Sequence, residues 1–194
     1  MIENLKYLVF AGVIVQLIGV SFYIKATLNG STKPNRVTWL LWSIAPLIAA
    51  SAAFSDGVRL SAVPVFMSGF GPLLVFLASF VNKNSYWKLE KFDYLCGFFS
   101  IIALLLWWIT KNPVVAIIFA IISDFFAAIP TLIKSWKYPE TETVSVFICA
   151  IFNALTSFVA IKMWNFTSLA FPIYLFFINI FMSILILRKK IFKS

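Results

Sequence analysis

Residues 93–110 read DYLCGFFSIIALLLWWIT, and the place of this apolar run between two trios of similar runs decides the fold. At 1.5 Å rise per residue a helix of this length extends about 27 Å, close to the roughly 30 Å of bilayer hydrocarbon. Three comparable runs precede it, at about 5–25, 37–54 and 60–82, and three follow, at 113–133, 144–162 and 166–187. An odd number of crossings leaves a chain on the opposite side of the membrane from where it began. A second three-helix unit would therefore insert upside down unless one more crossing came first, and 93–110 supplies it. The predicted fold class is all-α and integral to the membrane. Seven transmembrane helices form two parallel three-helix bundles joined by one linker helix, a 3+1+3 plan. The first bundle takes residues 1–82, the linker 83–112, and the second bundle, with its basic tail, 113–194.

Composition agrees with a lipid solvent. Of 194 residues, 62% are hydrophobic and 12% charged, with a mean hydropathy of +0.97. A water-soluble domain of this size has no place for so much apolar surface. Helices are expected because backbone polar groups in hydrocarbon must be satisfied within their own segment or in a closed barrel, and these runs are too continuous for barrel strands. The two cysteines, Cys96 and Cys149, fall inside spans, and with no histidine the usual zinc arrangements are missing. No metal or cofactor is expected. A cleaved leader is not expected either, since Ser21-Phe22-Tyr23 is a poor small-x-small cleavage site after a long first run.

The net charge of +9 is informative only through its distribution. Twelve basic residues fall in the segments after spans one, three, five and seven: Lys25, Lys33, Arg36, Lys83, Lys88, Lys91, Lys134, Lys137, Arg188, Lys189, Lys190 and Lys193. Four fall on the other side, namely Lys6, Arg59, Lys111 and Lys162. The positive-inside rule then puts the N-terminus outside and the C-terminus in the cytoplasm. Short loops suit a bacterial inner membrane. Nucleic acid is excluded as a partner, because no contiguous basic patch exists outside these loops. Glu90, Asp93, Glu140 and Glu142 read as solvated loop charges.

An internal repeat adds a second line of inference. Gln16 and Asp124 are 108 residues apart, as are Pro64 and Pro172, and Phe66 and Tyr174. The loops YIKATLNGSTKPNRVTW and IPTLIKSWKYPETETVS each leave a span through a lysine and pass a proline, Pro34 or Pro139, 105 residues apart. The stretch 127–164, AAIPTLIKSWKYPETETVSVFICAIFNALTSFVAIKMW, resembles a PQ-loop repeat of the SWEET and lysosomal amino-acid exporter superfamily. Pro130-Thr131 stands where that family has Pro-Gln, followed by Lys134, the Pro139–Thr143 loop and Asn153. The 3+1+3 count is similar to that of eukaryotic SWEETs, which are parallel-repeat transporters. Pro64-Val65 and Pro172-Ile173 replace the Pro-Asn pairs of SWEETs, and the first bundle has no proline near Tyr23. The resemblance implies alternating-access transport of a small polar solute, a sugar, amino acid or vitamin, with Asn153 as a substrate contact.

Polar residues inside spans are the candidate site. Asp124 lies about 16 Å along its helix from Pro113, near the midplane. An ionised carboxylate there costs on the order of 2.5–3.5 kcal/mol, so it needs a wet cavity, a partner or a proton. It reads as a proton-coupling group or a counter-charge for a cationic substrate, against the alternative of a structural hydrogen bond. Gln16, Asn153 and Asn179 are cavity candidates that could equally be interhelical glue. Trp39 and Trp42 share one face of the second helix; with Thr38 they could stack on a flat or sugar-like substrate, Trp42 being the candidate contact, or both indoles could anchor the cytoplasmic interface. Trp87, Trp136, Trp164, Trp107 and Trp108 read as interfacial anchors. Pro46, Pro64, Pro130 and Pro172, with Pro72, are candidate hinges. Without histidine, paired carboxylates or a nucleophile–base motif, the chain is not expected to be an enzyme. The second functional reading is a non-transporting receptor or assembly factor on the same scaffold. A homo-oligomer is compatible with either.

Overall fold

The computed structural model describes residues 7–55, 62–110, 112–159, 161 and 164–191. Among them are seven α-helices and no strand: α1 Leu8–Leu28, α2 Arg36–Ser55, α3 Ala62–Ala78, α4 Lys91–Ile109, α5 Pro113–Lys137, α6 Ser145–Val159 and α7 Phe166–Ile191. Single 3-10 turns, Lys83–Ser85 and Pro139–Thr141, lie in the α3–α4 and α5–α6 connections. The helix starts follow local chemistry. Asn35 Oδ1 accepts from Val37 N at 3.1 Å and Thr38 N at 3.3 Å, capping α2. Glu90 and Asp93 form a capping box at α4. Asn112 caps α5, whose first residue, Pro113, needs no N–H there. The expected spans match these helices to within a few residues.

Among the described residues, four helical segments are long and apolar enough to cross a membrane: Leu8–Leu28, Lys91–Ile109, Ile117–Lys137 and Leu169–Lys189. The sequence reading expects seven. Val63–Ala78 and Ser145–Val159 are apolar but shorter, and each adjoins residues outside the described set. In α2 the apolar run is diluted by Arg36, Thr38, Ser43 and Pro46.

The protein is inside-out relative to a water-soluble fold. Ile14, Phe22, Tyr94, Phe98, Trp108 and Phe177 are all more than half exposed, whereas Gln16, Asn35, Asp93, Lys134, Glu142 and Asn153 are buried. Large apolar patches on this scale require a non-aqueous neighbour.

Helix packing is selective. α1 makes its most extensive contact with α6 and also packs on α3; α2 packs on α3, α5 and α4; α4 lies along α5; α7 packs on α6 and α5. Ser100 and Ser123 fasten α4 to α5 reciprocally, each hydroxyl donating to the other's backbone carbonyl at 2.8 and 2.9 Å. The α1–α6 seam is close because of two glycines. A Cβ on Gly12 would stand 2.8 Å from Asn153 Oδ1, and one on Gly19 would stand 2.6 Å from Cys149 Cβ.

Hydrogen bonds gather the basic segments at one end. Asn82 donates to the Leu28 carbonyl, Ser85 to the Thr27 carbonyl, and Arg36 to the Ser79 carbonyl. The Lys33 amide donates to Thr141 O at 3.0 Å, and Arg188 to Ser135 O at 2.8 Å. Therefore α1, α3, α5 and α7 end where α2, α4 and α6 begin, and successive helices alternate in direction.

Candidate functional site

Two sets of polar side chains lie between the helices, one buried and one partly buried. Measured along α5 from Asp124 to Lys134, they lie about 15 Å apart.

The layer at the basic end is built on Lys134, in the last turn of α5. The 3-10 turn Pro139–Thr141 folds the chain back so that Glu142 faces it, Nζ to Oε1, at 2.5 Å, with both side chains buried. Glu142 Oε2 accepts from Tyr23 Oη of α1 at 2.6 Å. Lys134 Nζ also donates to the Lys33 carbonyl and stands 4.9 Å over the Trp87 ring. Tyr23 packs on Trp39, with ring centroids 4.7 Å apart. Alongside, Thr131 donates to Thr38 at 2.9 Å, and Thr32 bonds Thr143. Asn35 Nδ2 donates to Asp93 Oδ1 at 3.0 Å, while Asp93 Oδ2 accepts from the Glu90 amide at 2.6 Å. Every carboxylate oxygen on Glu142 and Asp93 is thereby occupied.

These facts correct the sequence reading. Glu142 and Asp93 are not solvated loop charges; both are buried, at 7% and 6% exposure. A polar, proline-containing stretch reads as exposed, yet here the opposing helix ends cover it. Trp39 is not an interfacial anchor but is fully buried in the aromatic core with Tyr23 and Phe147. Glu90 and Glu140 are exposed as expected, and Lys189 reaches Glu140 at 3.5 Å.

The mid-helix layer contains the residues singled out in the sequence. Asp124 Oδ2 accepts from Tyr174 Oη of α7 at 2.6 Å, and the Asp124 backbone carbonyl accepts from Trp42 Nε1 at 3.4 Å. Trp42 stands edge-on to Trp39, centroids 5.4 Å apart. No cation faces Asp124 among the described residues. Gln16 and Asn153 lie on the two sides of the α1–α6 seam, each 6% exposed. Gln16 Oε1 and Asn153 Oδ1 have no hydrogen-bond partner. Buried amide oxygens are normally paired, so two such acceptors in one seam are available to a donor.

No protein-family model, no curated protein and no solved structure matches this chain.

The structure thus brings Trp42 to Asp124, and Gln16 and Asn153 to the same seam. It makes no hydrogen bond between Gln16 and Asp124. Asn179 donates to Leu175 O of its own helix at 2.7 Å. Pro46, Pro130 and Pro172 lie inside α2, α5 and α7, as does Pro72 in α3. Pro64 is the third described residue of α3. Tyr23, Lys134, Glu142 and Tyr174 are the residues that the candidate list omits. Tyr174 carries a signal in sequence, since it and Asp124 stand at the same 108-residue offset from Phe66 and Gln16.

Proposed function

We propose that this chain is an integral membrane transporter of a small polar solute, working by alternating access between two three-helix bundles joined by α4. The observation that carries the reading is a permutation in the helix contacts. Exchanging α1, α2 and α3 for α5, α6 and α7 turns α1–α3 into α5–α7, α2–α3 into α6–α7, and α1–α6 into α5–α2. Every member of these pairs is in contact. The helix α4, against α5 and α2, stands outside the exchange, as a linker would. The apolar exterior supports a bilayer as solvent, and the basic end then faces the cytoplasm of a bacterial inner membrane.

In this reading the Tyr23–Glu142–Lys134 layer is a cytoplasmic closure, because Tyr23 and Lys33 come from the first bundle and Lys134 and Glu142 from the second. Opening the passage separates them. Gln16, Asp124, Asn153, Asn179 and Trp42 line the route to the solute at mid-membrane, Asp124 carries any proton coupling, and Pro46, Pro64, Pro130 and Pro172 absorb the bending. The PQ-loop resemblance of 127–164 points the same way.

The test is flux into proteoliposomes for a panel of sugars, amino acids, nucleosides and vitamins. Thr32→Cys with Thr143→Cys, in a Cys96→Ala/Cys149→Ala background, should form a disulfide across the closure that stops flux until it is reduced. Absence of flux for every class, together with a protein partner retained in mild detergent, would instead make the chain a receptor or assembly factor.

A further inference from the structure

A groove of about 830 Å³ runs between α5 and α7 on the outer face of the helices. Its wall is Ile121, Ile122, Ile178 and five aromatic side chains: Phe125, Phe126, Tyr174, Phe177 and Phe181. Phe177, Phe181 and Phe125 are 62%, 50% and 46% exposed, so the groove opens sideways, towards lipid in a membrane-embedded chain. Tyr174 connects this surface to the interior. Its ring lines the groove, and its hydroxyl donates to Asp124 Oδ2 at 2.6 Å.

Three features together define a ligand chemistry. The lining is almost wholly apolar, which selects a hydrophobic body. Five aromatic residues line it, and aromatic π faces attract a cation most strongly where water is excluded. Behind Tyr174 lies a carboxylate with no basic residue against it among the described residues. A filled acyl chain would use the first feature only. An anion would be repelled by the second and third. We infer that the α5–α7 groove is a laterally entered binding site for a lipophilic cation, whose charge rests on the Tyr174 ring with Asp124 as counter-charge. The site shares Asp124 with the proposed solute route but opens on the outer face of α5 and α7, and its occupancy does not depend on transport.

The probe is tritiated tetraphenylphosphonium, with tetraphenylborate as its anionic counterpart of like shape, on full-length protein in nanodiscs. Saturable phosphonium binding is expected, and the borate should not compete. Asp124→Asn should weaken binding about tenfold, and Tyr174→Leu, which removes the π face, by a similar factor. Phe177→Ala, at a position 62% exposed, should weaken it several-fold. Competition by the borate at equal concentration would mean that the groove accepts any apolar body, and the assignment would fall. Unchanged affinity in folded Asp124→Asn, or in Phe177→Ala, would overturn it equally. Solute flux into proteoliposomes is a separate readout, so loss of one result leaves the other standing.

Discussion

The two polar layers differ in how their charges are matched. At the basic end, Lys134 meets Glu142 at 2.5 Å and every carboxylate oxygen of Glu142 and Asp93 has a donor. Ten residues earlier on α5, Asp124 has a tyrosine and, among the described residues, no cation; in the α1–α6 seam the Gln16 and Asn153 oxygens have no partner. A buried ion pair whose lone pairs are all used is a fastening, strong once formed and costly to break singly. A carboxylate without a cation retains capacity for something that is not part of the chain, as do the open acceptors of the α1–α6 seam. One helix therefore carries a closed ion pair and, under three turns away, a carboxylate bonded only by neutral groups.

Breaking the clamp is the largest expected effect. Removing one partner, as in Lys134→Met or Glu142→Gln, leaves the other without its match and should cost about 3–5 kcal/mol. Thermal unfolding in mild detergent would register it, and the Lys134→Met/Glu142→Leu double variant should recover most of the loss. If the single variants unfold like the parent, the basic end is not a clamp. Next is the close seam beside the middle layer. Gly19→Val drives its side chain into Cys149 and should destabilise by roughly 1–3 kcal/mol through overpacking, whereas Cys149→Ala in the same chain should relieve part of it.

Asp124→Asn sharpens the contrast because it should do little to stability. No cation is orphaned, and the amide oxygen still accepts from Tyr174, so a change within about 1.5 kcal/mol is expected for this near-isosteric exchange. Any flux should lose its pH dependence in the same variant. A collapse in melting temperature instead would put Asp124 among structural groups. The smallest effect belongs to Asn179→Ala. Its amide serves its own helix, and about 0.6 kcal/mol is the average worth of a hydrogen bond in such a setting.

The sequence made some of this legible and hid the rest for a physical reason. Helix positions were readable because apolar length is a local property, and α4, α5 and α7 fall close to the runs that predict them. The polar exception Asp124 was readable for the same reason, since apart from Ser123 its neighbours are apolar. Contacts between distant segments leave no local mark. Tyr23 and Glu142 are separated by 119 residues, and nothing in KYPETETVS distinguishes a buried glutamate from a solvated one. Trp39 and Trp42 were correctly placed on one face of α2, but periodicity does not say whether that face looks inward. Their contact with each other and with Phe147 settles it.

The pairing of Tyr23 with Glu142 also has a consequence for biogenesis. On the proposed membrane reading, α1 enters the bilayer during synthesis long before the segment holding Glu142 leaves the ribosome. In that interval the Tyr23 phenol lacks its acceptor, and the Lys33 carbonyl lacks the Lys134 ammonium. The nascent first half is thus marked as unfinished by its own polar groups, and only the emergence of the α5–α6 hairpin removes the mark. A chain truncated after α4 should accordingly be a preferred target for membrane proteolysis, even with every helix of its first half correctly inserted.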